Sequence, residues 1–293
     1  MQTRRIGGTE VSAIGLGGMP MSVQGRPDES RSVATIHAAL DAGVTLIDTA
    51  DAYHLDTSDP GHNESLIARA LASFPGDTSA VLVATKGGHT RPGGRWELDG
   101  SPSYLKRAAE ASLKRLGTEA LGLYQFHRPD PEVPYADSIG ALADLLDEGK
   151  IRFAGISNAN PEQIRLANEI LGGRLAAVQN EFSPAFRSSE PELELCTELG
   201  IAFLPWSPLG GIAKAEDLGS RFAPFAEVAR AHDASPQQVT LAWMLAKSPV
   251  VIPIPGSSRP ETIRASAAAV HLELSGAELA ALDGQGAVSG SAS

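Results

Sequence analysis

Four side chains with acid–base chemistry follow three apolar, strand-like runs of the chain. Asp48 and Tyr53 come after the first of these runs, Lys86 after the second and His127 after the third. A free tyrosine is a weak acid with a pKa of about 10, and a nearby ammonium group lowers that pKa. Lys86 would supply the charge, Asp48 would hold Lys86, and His127 would orient a carbonyl by a hydrogen bond. The four residue types therefore predict a site that protonates a carbonyl oxygen.

Each of these residues also has an ordinary structural interpretation. An Asp before Thr often caps a turn, and a loop tyrosine is often partly buried packing. Lys86 before two glycines is compatible with a solvated charge, and His127 before Arg128 with a structural histidine. Taken singly, these interpretations are favoured. All four residues, however, occur at successive strand ends. This favours the functional interpretation, because a barrel brings all its strand ends together.

The elements that position the four residues are short apolar runs, each followed by a helical pattern. Most of the runs are continuously apolar, as in strands buried on both faces. Ser101, Asn160 and Ser235 each precede a proline, which is typical of helix starts. The strand candidates are 13–17, 44–48, 80–85, 121–127, 153–157, 176–179, 201–205 and 250–254, and helical patterns cover 29–42, 63–74, 102–116, 135–148, 161–171 and 191–199.

Eight strand candidates that alternate with helices predict an α/β fold, a single-domain (β/α)8 TIM barrel. The alternative is a doubly wound sheet, which is disfavoured because Gly15-Leu16-Gly17-Gly18 lacks the third glycine of a dinucleotide fingerprint. No linker rich in Pro, Gly or Ser divides the chain. We expect one barrel domain over residues 1–283 and a mobile tail over 284–293, where the residues are small and polar.

Composition narrows the classes of partner. The 293 residues are 42% hydrophobic, and 24 basic against 35 acidic residues give a net charge of −11. An acidic chain is a poor binder of nucleic acid or of anionic membranes. Cys196 is the single cysteine, so no intrachain disulfide forms, and no signal peptide or membrane span is apparent. These features predict a cytoplasmic protein without nucleic-acid or membrane partners, and they are compatible with a monomer. The partner that the predicted site implies is a small-molecule carbonyl substrate.

Taken together, the motifs resemble those of the aldo-keto reductase family. They occur in the family's order and cover nearly the whole chain. The matching runs are 48–53 (Asp-Thr-Ala-Asp-Ala-Tyr), 63–64 (Asn-Glu), 84–86 (Ala-Thr-Lys), 127–131 (His-Arg-Pro-Asp-Pro), 155–158 (Gly-Ile-Ser-Asn), 179–183 (Gln-Asn-Glu-Phe-Ser), 206–211 (Trp-Ser-Pro-Leu-Gly-Gly) and 252–259 (Ile-Pro-Ile-Pro-Gly-Ser-Ser-Arg).

The resemblance implies a reductase that uses NADPH, and forms NADP+, to convert an aldehyde or ketone to an alcohol. It assigns Tyr53 as proton donor, Asp48 and Lys86 as its tuning residues, and His127 as the residue that orients the carbonyl. By resemblance, Ser157, Asn158 and Gln179 hold the nicotinamide carboxamide, Trp206 stacks on its ring, Ser207, Pro208, Leu209 and Gly210 follow the pyrophosphate, and Gly256, Ser257, Ser258 and Arg259 face the adenosine 2′-phosphate. Amides, hydroxyls and a guanidinium suit such a phosphate.

Two departures from the family pattern stand out. Ala265 and Ser266 occupy positions where many relatives carry a Glu-Asn pair against the adenine, which implies a weaker adenine contact here. The stretch 54–62 is longer than in many relatives and contains His54 and His62. No carboxylate or cysteine lies at metal-ligand spacing from these histidines, so we expect a polar rim and no metal.

Other functions have weaker support from the sequence. A barrel lyase with Lys86 as a Schiff-base amine needs no dinucleotide loops. A non-catalytic redox sensor, as in channel-associated members of the family, has no interaction tail to support it. The sequence leaves open which carbonyl compound is reduced. Met21, Trp96 and Phe186 are candidates for an apolar pocket, and packing explains each of them equally well.

Overall fold

The computed structural model of the protein describes residues 1–211 and 215–284. Seven strands form one parallel sheet in the order β11-β10-β9-β8-β5-β4-β3, and two small antiparallel hairpins, β1–β2 and β6–β7, lie outside it. The strands are β1 Thr3–Ile6, β2 Thr9–Ser12, β3 Leu16–Gly17, β4 Leu46–Asp48, β5 Leu82–Gly87, β6 His89–Thr90, β7 Glu97–Leu98, β8 Leu121–Phe126, β9 Ile151–Ser157, β10 Leu175–Gln179 and β11 Ala202–Phe203.

The segment 250–256 closes the sheet into a barrel, although it is not a regular strand. On one side Val250 O accepts from Phe203 N and Ile252 N donates to Phe203 O, each at 2.9 Å. On the other side Gly15 N and Gly17 N donate to carbonyls of the same segment at 2.9 and 3.0 Å. Isolated bridges join 203 to 251 and 17 to 256. The fold is therefore the predicted (β/α)8 barrel.

The eighth predicted strand, 250–254, is wrong as a strand but right as a position in the barrel. Pro253 and Pro255 have no N–H group, so a continuous ladder is impossible there. Their carbonyls still accept, from Gly15 N and Gly17 N respectively. The first predicted strand, 13–17, is likewise shorter, because only Leu16–Gly17 pairs regularly, with Ile47 and Asp48.

Eleven α-helices occur in the described part of the chain, and most cover the outside of the sheet. Ser101, Asn160 and Ser235 accept hydrogen bonds from the first turns of α3, α5 and α9, as predicted for helix starts. The helices are α1 Glu29–Asp41, α2 His62–Ser73, α3 Pro102–Leu116, α4 Tyr135–Asp147, α5 Pro161–Ile170, α6 Glu190–Leu199, α7 Leu218–Arg221, α8 Ala223–Ala231, α9 Pro236–Lys247, α10 Pro260–Ala268 and α11 Gly276–Asp283.

Apolar packing holds each strand end in place on both faces of the sheet. Alternate strand residues from around the sheet form one buried cluster, which includes Leu46, Leu82, Leu123, Ala177 and Ile252. The opposite strand faces pack against the helices, with Tyr124, Phe126, Phe203 and Trp243 among the buried side chains there. Strands fixed in this way present the residues that follow them at defined positions.

Within residues 1–211 and 215–284, no helix has the length and apolar character needed to cross a membrane. The predicted tail, 284–293, lies outside the described residues except for Gly284, which follows α11.

Candidate active site

A cavity of about 370 Å³ lies at the carboxyl ends of the barrel strands. This is the edge of the sheet at which barrel enzymes place their chemistry. Eleven of the sixteen predicted site residues line it: Asp48, Tyr53, His127, Ser157, Asn158, Gln179, Trp206, Ser207, Pro208, Leu209 and Gly256. The other five, Lys86, Gly210, Ser257, Ser258 and Arg259, do not line the cavity.

Lys86 lies behind the cavity and holds several groups together. It is the next-to-last residue of β5, which extends past the predicted strand end at residue 85, and its side chain is fully buried. Its ammonium contacts both carboxylate oxygens of Asp48 and donates to Thr49 O at 2.7 Å and to the Tyr53 hydroxyl at 3.2 Å. Burial favours the neutral amine, but Asp48 and Tyr53 outweigh it and raise the pKa of Lys86. The lysine is therefore a fixed, buried cation.

The Tyr53 hydroxyl accepts a hydrogen bond from Lys86, and within the described residues it makes no bond as a donor. Its own proton is thus uncommitted. Tyr53 also lines the cavity, although its side chain is mostly buried. The arrangement leaves a phenol with its oxygen anchored from behind and a proton to donate.

The pKa of Tyr53 differs from the sequence-based expectation. The Lys86 charge does lower it, as expected, but burial has the larger effect, so the pKa lies above its ordinary value of 10. The expectation was incomplete because the cost of ionising a buried phenol depends on the surrounding packing. At neutral pH the phenol therefore keeps its proton, which is the form that an acid needs.

His127 is a neutral imidazole beside Tyr53. Burial lowers its pKa well below the ordinary value, and the charges of Lys86 and Arg128 lower it further. Its ring lies 5.7 Å from the Tyr53 ring, centroid to centroid. Its Nδ1 is buried and has no hydrogen-bond partner among the described residues. A buried polar atom of this kind fits a site whose remaining partner is a ligand.

Ser157, Asn158 and Gln179 lie together where β9 and β10 end. Asn158 Nδ2 donates to Ser157 Oγ and to His127 O, both at 3.0 Å, and Ser157 Oγ donates to Gln179 O at 2.7 Å. Gln179 Nε2 lies 3.3 Å from both carboxylate oxygens of Asp48. These bonds connect the predicted carboxamide site directly to the acid–base residues.

Trp206 and Ser207 form a wall of the same cavity. Trp206 follows Pro205 and is held by a 3.0 Å bond from its backbone N–H to Asn180 O. Its indole Nε1 is buried without a partner among the described residues. Ser207 has a φ of 49° and Asn158 a φ of 57°. Non-glycine residues in this left-handed region cost of order 1 kcal/mol or more each, and such residues cluster at binding sites.

Residues 256–259 lead into the N-terminus of α10. Ser257 N donates to Gly17 O at 3.3 Å, and Ser257 Oγ donates to Arg259 O at 3.0 Å. The free N–H groups of a helix start attract anions. Arg259 is half-exposed and lies 3.8 Å from both Glu216 and Glu261. This geometry suits a phosphate group near the start of α10. To bind it, the Arg259 guanidinium would exchange its two long contacts with carboxylates for contacts with the phosphate.

Two residues of the cavity wall, His89 and Arg128, were not predicted as site residues. His89 and Trp96, from the hairpin β6–β7, line the cavity, and so does Arg128. The His89 ring lies 4.4 Å from the His127 ring and 5.4 Å from the Trp96 ring. Of the three apolar candidates, Trp96 reaches the cavity, whereas Met21 is buried in the core and Phe186 is exposed elsewhere. Only the packing of the hairpin could reveal this difference.

A buried acidic network supports the loop that carries Tyr53. Asp51 N donates to Lys86 O at 3.1 Å. The Tyr104 hydroxyl lies 3.0 Å from Asp51 Oδ2 and 2.9 Å from His89 O. Burial, together with the charge of Glu64, raises the pKa of Asp51 to about 8. The Tyr104 hydroxyl has one hydrogen, but it lies close to two oxygens, Asp51 Oδ2 and His89 O. Both contacts are hydrogen bonds when a protonated Asp51 donates to Tyr104 and Tyr104 donates to His89 O.

The two histidines of the loop after β4 have local hydrogen bonds. His54 Nδ1 lies 2.6 Å from Asp56 O, and His62 Nδ1 lies 2.8 Å from Ser22 Oγ. Across the described ranges, no group of three or more His, Cys, Asp or Glu side chains is placed to hold a metal ion. The two rings are held by these local hydrogen bonds, and neither lines the cavity.

Comparison with known proteins assigns the family. Residues 13–286 match the model of the aldo/keto reductase family. An uncharacterized oxidoreductase of Schizosaccharomyces pombe is 34% identical over 291 residues, which cover 97% of this chain and 90% of the relative. "Probable aldo-keto reductase 1" of Glycine max is 33% identical over 301 residues, covering 93% of this chain and 84% of the relative.

Solved structures give the same result. A thermostable aldo-keto reductase in complex with the inhibitor epalrestat has a TM-score of 0.82 at 29% identity, covering 97% of this chain and 100% of that one. The glycerol dehydrogenase of Gluconobacter oxydans has a TM-score of 0.81 at 28% identity, covering 97% and 94%. The barrel, the motifs and these similarities lead to one conclusion: the chain belongs to the aldo/keto reductase family, whose members carry out NAD(P)H-dependent carbonyl reduction.

Proposed function

We propose that the protein reduces an aldehyde or ketone to an alcohol with NADPH, and that Tyr53 is the proton donor. One observation carries the assignment of Tyr53. Its oxygen is held by Lys86 at 3.2 Å, while its proton has no acceptor among the described residues and the side chain lines the cavity. A positioned acid of this kind contributes roughly 10²–10⁴-fold to a proton-transfer step.

The carbonyl oxygen would lie between Tyr53 and His127. A neutral imidazole can donate one hydrogen bond, and His127 is kept neutral by burial and by neighbouring positive charges. The Tyr53 proton moves to the oxygen as negative charge develops there. Two donors that are fixed before the reaction stabilise this charge without reorganisation.

Lys86 and Asp48 act behind Tyr53. The ammonium stabilises the phenolate that remains after proton transfer, and the Asp48 carboxylate balances the lysine charge in a buried place. The Tyr53 phenolate then takes up a proton from solvent, which restores the phenol. The same geometry argues against a Schiff base on Lys86, because its amine is fully buried, donates to three residues and does not line the cavity.

The residues present fit a nicotinamide dinucleotide. The unpartnered Nε1 of Trp206, the left-handed residues Asn158 and Ser207, and the free end of α10 all face or flank one cavity. When bound, NADPH supplies hydride to the carbonyl carbon. Ser157, Asn158 and Gln179 would hold its carboxamide, residues 206–210 would follow its pyrophosphate, and residues 256–259 would meet its 2′-phosphate.

The substitution Tyr53→Phe tests this proposal. We expect NADPH to bind as in the wild type, as measured by quenching of tryptophan fluorescence. Turnover of carbonyl compounds, followed by loss of NADPH absorbance, should fall at least a hundredfold. An unchanged kcat would remove Tyr53 from the acid role.

Tyr135→Phe is the matched control. Tyr135 begins α4, does not line the cavity, and its hydroxyl has no hydrogen-bond partner among the described residues. Loss of this hydroxyl should leave turnover unchanged. A panel of aldehydes, ketones and sugars assayed with the wild type would identify the substrates.

A further inference from the structure

Arg128 is a cation at the wall of the cavity, next to His127 in the chain. It lines the cavity and is exposed. Among the described residues, Arg128 makes one hydrogen bond, from Nη2 to Asn158 Oδ1 at 3.1 Å. In the parts of the chain that the structure describes, no carboxylate lies within ion-pair distance of it. A guanidinium has five N–H donors, so most of them remain available after the bond to Asn158.

The charge balance of the cavity differs from that of the whole protein. Although the net charge of the chain is −11, the ionisable residues that line the cavity do not share this excess of acid. Asp48 is paired with Lys86. Burial lowers the pKa of His89 and of His127 below the ordinary value, so both rings are neutral at pH 7. Arg128 is left as the uncompensated charge among the lining residues.

Several arginines around the barrel are paired with carboxylates, and Arg128 differs from them. Arg26, Arg115 and Arg187 each contact a carboxylate, from Asp59, Glu64 and Glu190 respectively. Arg128 instead meets a cavity whose walls include two indole rings and three prolines. Apolar walls exclude water and strengthen the attraction between a guanidinium and an anion.

We propose that Arg128 binds a carboxylate group of the carbonyl substrate, so that the preferred substrates are aldehydes or ketones that carry an acid group. This inference rests on the proposed function, since it places the acid group next to the carbonyl that Tyr53 and His127 receive. A planar guanidinium matches a carboxylate with two parallel hydrogen bonds, which a lysine cannot reproduce. Arg128 is thus a specificity-determining residue.

The test compares two aldehydes of similar size, 4-carboxybenzaldehyde and 4-methylbenzaldehyde. We expect Arg128→Gln to lower the ratio of their kcat/KM values, acid over neutral, at least tenfold. Arg128→Lys should lower it less, and 0.5 M NaCl should lower the wild-type ratio, because salt screens an exposed charge. Arg107→Gln is the control, since Arg107 is exposed on α3 away from the cavity, and it should leave the ratio unchanged.

The alternative role of Arg128 is to position Asn158. In that case Arg128→Gln lowers kcat/KM for both aldehydes by the same factor, and an unchanged ratio overturns the inference. A readout without turnover separates this from failure of the proposed function. Terephthalate, a dicarboxylate, should bind the wild type in the presence of NADP+ at least tenfold more tightly than it binds Arg128→Gln. If terephthalate binds in this way but no carbonyl compound is reduced, the proposed function is contradicted and the carboxylate subsite is not. If terephthalate binds the wild type and Arg128→Gln equally, the subsite is overturned.

Discussion

Lys86 Nζ lies 2.6 Å from Asp48 Oδ2 inside the barrel, with the two side chains 0% and 3% exposed. An ion pair removed from water in this way is costly unless all its hydrogen bonds are made. Here they are, because Thr49 O, Tyr53 and Gln179 contact the pair as well. The pair thus supports the barrel and also contacts Tyr53, the proposed proton donor, and mutation can separate its effects on stability and on turnover.

The first prediction concerns Lys86→Met. This change leaves the Asp48 carboxylate buried without its cation, and we expect a loss of about 3–5 kcal/mol in the free energy of unfolding. Urea denaturation followed by circular dichroism measures it. Turnover should also fall at least a hundredfold, because the Tyr53 phenolate loses its stabilising charge.

The double variant Asp48→Asn/Lys86→Met separates the two effects. With both charges removed, most of the lost stability should return. Turnover should not return. Recovery of both would show that Lys86 affects Tyr53 through folding alone.

The second prediction concerns cofactor choice. Arg259→Ala should raise the Kd for NADPH at least tenfold and change the Kd for NADH little, because the guanidinium would meet a phosphate that NADH lacks. Fluorescence titration measures both constants. Arg264→Ala, an exposed arginine on α10, is the control. Equal effects of Arg259→Ala on the two cofactors would place Arg259 outside the phosphate site.

The third prediction is a pH dependence of stability that originates at Asp51. Burial raises its pKa to about 8 in the folded protein, against an ordinary value of 3.8. Between these values the folded state binds more protons than the unfolded state. Asp51 therefore stabilises the fold fully below about pH 4, and its contribution is lost as the pH rises toward 8, by at most about 1.4 kcal/mol per pH unit.

Asp51→Asn isolates this contribution, because an amide does not titrate. Free energies of unfolding are measured for both proteins from pH 5 to pH 8. The variant should gain stability relative to the wild type as the pH rises. A constant difference across this range would show that Asp51 is ionised in the folded state throughout.

The fourth prediction concerns the outer wall of the cavity. Trp96 is 47% exposed, and the Arg91 guanidinium lies 4.0 Å from its ring. Because so much of the ring is exposed, Trp96→Ala should change stability little. It should raise the KM for aromatic aldehydes about tenfold and that for propanal much less, as ring–ring contacts are lost. Phe186→Ala, which removes an exposed ring outside the cavity, should affect neither KM.

Local patterns were sufficient to predict most of the barrel. Helix starts at Ser101, Asn160 and Ser235 follow from capping and proline chemistry, which acts over a few residues. Gly117 and Gly200 end α3 and α6 with φ values of 65° and 67°, which glycine adopts without strain. Each of these signals lies within the few residues whose conformation it determines.

Features that depend on distant contacts could not be predicted in the same way. The hairpins β1–β2 and β6–β7 have short, polar strands, so alternation of apolar residues did not mark them. Asp51 looks like an ordinary loop acid, and its raised pKa arises from burial and from the charge of Glu64 on α2. The balance of burial over charge at Tyr53 is likewise a property of the packed site.

The way in which the barrel closes has a consequence for how the protein is made. Gly15 and Gly17 are held by carbonyls of Pro253 and Pro255, almost at the other end of the chain. During synthesis, β3 can therefore pair with the segment 250–256 only after most of the polypeptide has left the ribosome. Until then β3 and β11 are open edges, which invite pairing with other chains. Chains truncated before residue 250 should accumulate as aggregates, and newly made chains should depend on chaperones until the segment 250–256 emerges from the ribosome.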